Sequence, residues 1–131
     1  MEEKTFVALL LGVAILNFSS IARCQQTGKH DYQTLCAACH GLTGTGQGRD
    51  LVEANPPDLT QLSRNNGGKF PFDAVYRTID GRDMKGSHKR LAMPFWGEYL
   101  QKEGGSTRQN DAAVKQRITD IVRYVETLQK K

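Results

Sequence analysis

The chain has 131 residues, a length that favours one domain, and its Lys and Arg outnumber Asp and Glu to give a formal charge of +4. No basic run is interleaved with aromatics, which argues against a nucleic-acid-binding surface. Aliphatic and aromatic residues are modest in number for this length, so a core made of side chains alone is marginal.

Residues 5–18 form a short apolar run, too short for a membrane span and suited to a signal-peptide core. Ser20 and Ala22 supply small residues for cleavage after Ala22, and cleavage after Cys24 is a second option. The expected division is a leader over residues 1–22 and a domain over 23–131. Glu2 and Glu3 outweigh Lys4, so an uncleaved anchor is the alternative, and membrane association is expected only in that case. Loss of residues 1–22 raises the formal charge to +5. Arg23 argues against a lipoprotein signal at Cys24. That odd cysteine is either a residue without function near the cleavage point or a thiol open to cross-linking.

Thr27 is read as the cap of a first helix, with Tyr32, Leu35, Cys36 and Cys39 repeating on one face. Residues 41–57, rich in Gly and ending in Pro56 and Pro57, read as a loop. Asp58 suits an N-cap, with Leu59 and Leu62 inward and Gly67-Gly68 as the stop. Pro71 suits the first residue of a helix with Phe72, Val75, Tyr76 and Ile79 on one face and Gly81 at its end. Residues 82–92 read as a polar loop. Pro94 begins a short helix through about Leu100, broken by Gly104-Gly105. A last helix starts near Asn110 or Asp111 and carries Ala113, Val114, Ile118, Ile121, Val122, Val125 and Leu128 as its apolar stripe. Arg117, Asp120, Arg123 and Glu126 lie largely opposite. No strand signal is strong. The expectation is all-α, about four to five helices with long loops, and loops of that length need something to wrap around.

Cys36-Ala37-Ala38-Cys39-His40 carries the most chemistry. Cys-x-x-Cys-His is the spacing for covalent c-type haem. Two thiols three residues apart on a helical turn point the same way and reach the two vinyl groups of one haem edge. His40 then lies under the iron as proximal ligand. The alternatives are a redox dithiol, which expects a βαβ pattern, and a zinc site, which needs four ligands. Only Cys24, His30 and His88 remain for zinc, and none forms a second spaced pair. A haem would also supply the apolar plate that a small core lacks.

The sixth iron position has Met93, Met84, His88 and His30 as candidates. His30 is poorly placed to reach the opposite face. Met93 is favoured because Pro94 stiffens the backbone after it and Phe95 and Trp96 can seal a pocket from water. A methionine beside aromatics is otherwise gap-filling core. Met84 lies between Asp83 and Lys85, which suggests an exposed loop. Met–His ligation fills both axial sites, raises the reduction potential relative to two histidines and favours electron transfer.

These pieces together resemble the class I, monohaem cytochrome c family of bacteria. Cys36 to Gly41 resembles its attachment site, Asn55-Pro56-Pro57-Asp58-Leu59-Thr60 the segment that passes the proximal histidine, and Met93-Pro94-Phe95-Trp96-Gly97 its distal methionine motif. The resemblance implies that the carbonyl of Pro57 or Pro56 accepts a hydrogen bond from the His40 imidazole. It also implies that Tyr124, on a closing helix from Ile118 to Gln129, meets the N-terminal helix near Gly28 and Tyr32. Tyr32 and Trp96 are further expected haem contacts.

The function expected is electron transfer by one covalent haem c and its iron, without substrate turnover, between redox proteins in the periplasm or another extracytoplasmic space. Lys69, Arg77, Arg82, Lys85, Lys89 and Arg90 are candidates to steer acidic docking surfaces, or are simply a solvated face. Alternatives are a haem-bearing subunit of an oxidase or dehydrogenase, and a sensor or peroxidase-like protein with a labile sixth ligand.

Overall fold

The computed structural model describes residues 27–48, 56–82, 93–105 and 107–130. The expected leader, Cys24, Met84 and His88 lie outside them. Among the described residues every regular element is helical, as expected of an all-α chain.

Helix α1 covers residues 27–35, and residue 27 is already helical, so Thr27 lies inside the helix rather than capping it. A turn at Cys36 separates α1 from the single turn of α2, Ala37–His40. That break changes the expected register. Tyr32 and Cys36 are buried and Leu35 half-buried, but Cys39 faces outward instead of sharing their face. Gly41 ends α2 at φ 77°, a left-handed conformation that favours glycine. The glycine-rich turn beyond it folds back over α2. Gly46 N–H donates to the His40 carbonyl at 3.0 Å and Gly48 N–H to that of Cys39 at 3.0 Å.

Asp58 caps the next segment as expected, its carboxylate accepting from Thr60 N–H at 2.9 Å. A 3-10 turn, Leu59–Gln61, runs into α3, Leu62–Asn65. Helix α4 is Phe72–Asp80; Pro71 takes its cap position rather than its first turn, and Gly81 ends it in the left-handed region. Helix α5 is Trp96–Gly104 with Phe95 at the cap, so it begins two residues after Pro94 and runs beyond Leu100.

Helix α6, Arg108–Thr127, starts before Asn110 because the Thr107 side chain accepts from Asn110 N–H. The Asn110 amide donates instead to the Gln101 and Gly105 carbonyls, closing the α5–α6 corner. Val114, Ile118, Ile121, Val122 and Val125 form the centre of the core, whereas Ala113 is exposed. Asp120 is buried rather than opposite the apolar stripe, and it accepts from Gln116 at 2.8 Å.

Helix α6 packs on α4 and α5, which also touch each other. It meets α1 at Gly28, where a Cβ would collide with the Asp120 carbonyl. The Tyr32 and Tyr124 rings meet there at 5.2 Å, as the closing-helix expectation had it. Arg117 clamps buried Asp31 through two hydrogen bonds of 3.0 and 2.9 Å. At the far end, Gln129 accepts from Ser63 N–H and donates to the Leu59 carbonyl, tying the chain's end to the 3-10 turn.

Candidate functional site

The site is built where α1 gives way to α2. Cys36 N–H still bonds the Tyr32 carbonyl at 2.9 Å, and His40 N–H bonds that of Cys36 at 2.9 Å. Both bonds meet at Cys36, one closing α1 and the other opening α2, so the two cysteines and His40 lie within one five-residue segment at the junction of the two helices. Cys36 is buried and Cys39 exposed, so the pair spans the protein boundary.

His40 is only 7% exposed, and its Nδ1 is the one buried side-chain polar atom among the described residues without a hydrogen-bond partner. Burial holds the imidazole below its ordinary pKa, while the Pro57 carbonyl acts in the opposite direction. The carbonyl thus faces the ring closely enough to influence it but stops short of a well-formed hydrogen bond. The net result is a neutral imidazole at neutral pH, the form that ligates metals.

Tyr32 is fully buried and its hydroxyl donates to the Gly41 carbonyl at 2.8 Å, directly after His40. This ties α1 to the exit of the motif. Met93 and Trp96 are half-buried and pack against the same core as Tyr32 and Cys36. Trp96 also meets Tyr99 edge-on at 5.5 Å. The structure therefore brings Tyr32, Cys36, Met93 and Trp96 to one core, with His40 one turn beyond Cys36.

An open groove of about 560 Å³ runs along the outer side of α2, lined by Ala37, Ala38, Leu42 and Gln47 among others. Cys36, His40 and Met93 do not line it. Sequence reasoning missed a second feature. Arg82 donates to Asp80 at 2.6 Å and to Asp111 at 2.7 Å, joining the end of α4 to α6. The partners are 29 residues apart in the second pair. No local spacing rule finds it.

The cytochrome c family model matches residues 25–129. The chain belongs to the cytochrome c family. Comparisons with curated proteins and with solved structures gave no match. Membership makes covalent haem c, with its iron, the cofactor and haem-based electron transfer the activity.

The residues present fit that group. A buried imidazole, two thiols three residues apart and a half-buried thioether are donor types that such attachment and ligation use. The competing dithiol reading fits less well. Burial above all, then the charges of Asp31 and Cys39, pushes the free Cys36 thiol up to about 12. A redox dithiol needs the reverse shift. Among the described residues no three His, Cys, Asp or Glu gather into a metal-holding group, and the zinc candidates Cys24 and His88 lie outside those residues.

Proposed function

We propose that this protein is a soluble or loosely tethered electron carrier outside the cytoplasm. In this reading Cys36 and Cys39 form the thioethers, and His40 and Met93 are the axial ligands. The observation that carries it is the buried His40, with an unpaired Nδ1, one helical turn beyond Cys36 and next to Cys39. The bound iron supplies a one-electron couple between ferric and ferrous states.

The chain's own residues hold that iron's surroundings constant. The Pro57 carbonyl acts on the His40 ring so as to raise its basicity. Tyr32 fixes the backbone at Gly41, so the ring has little room to swing. Met93 offers a neutral, polarizable sulfur, and Phe95 and Trp96 limit water beside it. Ligands that keep their places in both oxidation states favour electron transfer over binding a small molecule.

Export by the leader at residues 1–22 brings the chain to the compartment where Cys-x-x-Cys-His is loaded. Among the described residues no helix is long and apolar enough to cross a membrane. The partners are redox proteins with acidic docking surfaces. Lys69 and Arg77 are exposed and available to steer them. Arg82 is engaged internally with Asp80 and Asp111 and leaves that set. Lys85, Lys89 and Arg90 lie outside the described residues.

The test is the absorbance spectrum of the exported protein in both redox states, beside Met93→Ala. A ferric methionine–iron charge-transfer band that disappears in the variant is expected. A band that persists moves the ligand to Met84. Haem without the band in the parent protein points to His88 or an open site and to the sensor or peroxidase-like alternative. A stable stoichiometric complex on purification makes it an oxidoreductase subunit.

A further inference from the structure

Two segments of chain meet a few residues after Met93. The first is Asp80-Gly81-Arg82, at the end of α4, and the second is Phe95-Trp96-Gly97, at the start of α5. A Cβ on Gly81 would run into the Phe95 ring. A Cβ on Gly97 would run into the Asp80 carboxylate and crowd Arg82 Nε. The contact is backbone-close at both points, and both glycines are buried.

Charge holds this junction together. Arg82 Nε donates to Asp80 at 2.6 Å, and one terminal nitrogen donates to Asp111 on α6 at 2.7 Å and to Gln101 on α5 at 3.3 Å. Arg82 is 22% exposed and Asp80 12%. One planar guanidinium thus fastens α4, α5 and α6 together. A lysine, with a single point charge, cannot fork across the two carboxylates.

We infer that Arg82, with Gly97, is a positioning residue that helps fix Met93 as the iron ligand by holding the chain just after it, at the start of α5, against the end of α4. The inference rests on the reading of Met93 as that ligand. The clamp opposes the swing of Met93 away from the iron. Its loss favours any exogenous ligand that competes for the sixth position.

The experiment titrates the ferric holoprotein with imidazole and follows the methionine–iron band. It compares Arg82→Gln, Arg82→Lys and Gly97→Ala with the parent. Arg117→Gln, which breaks the Asp31 clamp at the α1–α6 crossing, is the control for a purely structural loss. Removing a charged, partly buried hydrogen-bond partner is expected to raise imidazole affinity about tenfold in Arg82→Gln. Arg82→Lys is expected to fall between Arg82→Gln and the parent, Gly97→Ala to rise like Arg82→Gln, and Arg117→Gln to match the parent.

Parent-like imidazole affinity in both Arg82→Lys and Gly97→Ala overturns the clamp, even if Arg82→Gln does not fold. So does an equal rise in Arg117→Gln. A band that survives Met93→Ala overturns the ligand reading itself and the inference with it, so the two failures are distinguishable.

Discussion

Tyr32 is read from the sequence as an inward aromatic near the haem motif, and its place in the structure gives it a more specific task. Its ring packs on Tyr124 and its hydroxyl donates to the Gly41 carbonyl, both fully enclosed. The hydroxyl sits in an apolar setting, and burial first of all raises its pKa well above the tyrosine range. It therefore stays protonated and donates throughout the accessible pH range. Tyr32→Phe keeps the ring and leaves the Gly41 carbonyl without its donor. The expected cost is about 1–2 kcal/mol of stability, read by urea unfolding of the holoprotein. An unchanged unfolding midpoint would show that water replaces the hydroxyl at no cost. His40 makes the same point about a single residue. Its role as ligand candidate is legible from the spacing, but its burial with an unpaired Nδ1 depends on how the chain packs around it.

At the level of elements, the α1–α6 crossing organises the molecule. The closest approach is Gly28 against the Asp120 carbonyl, and it is reinforced by the Asp31–Arg117 pair. Gly28→Ala places a methyl group in space already filled by backbone, and backbone cannot rotate away. The expected loss is about 1–3 kcal/mol, measured by thermal or urea unfolding, with α1 shifted relative to α6. The sequence placed the interiors of α4 and α6 well, because apolar periodicity repeats within each helix. It placed their ends less well. Phe95 rather than Pro94 precedes α5, and Thr107, not Asn110, caps α6, because that cap is decided by which side chain finds an orphan N–H. Cys39 illustrates a related miss. A straight helical projection puts it with Cys36, and the turn at Cys36 rotates it outward.

Across the whole molecule the charge is positive, and it rises by one when residues 1–22 are removed. If partners are acidic, attraction accelerates encounter and salt screens it. Oxidation of the ferrous protein by an anionic oxidant is expected to slow about tenfold between low and high ionic strength. Oxidation by a cationic oxidant is expected to speed up over the same range. Stopped-flow rates read both, and Lys69→Glu is expected to reduce the slope. Equal slopes for the two oxidants would remove electrostatic steering from the account.

The sequence by itself determined the chemistry that is local. A pair of thiols three residues apart followed by an imidazole needs only five adjacent positions, so Cys36 to His40 are legible as the proposed attachment and proximal-ligand motif. Helix identity is local in the same way, since a repeating apolar face spans only neighbouring turns. Tertiary structure alone decided which charges remain available. Arg82 reads as one more surface cation until Asp111, on another helix, accepts from it. Asp31 and Arg117 stand 86 residues apart and meet only because α1 crosses α6 at Gly28. Such pairings are set by where rigid helices touch, and that position is a property of the packed whole, invisible in any short window of chain.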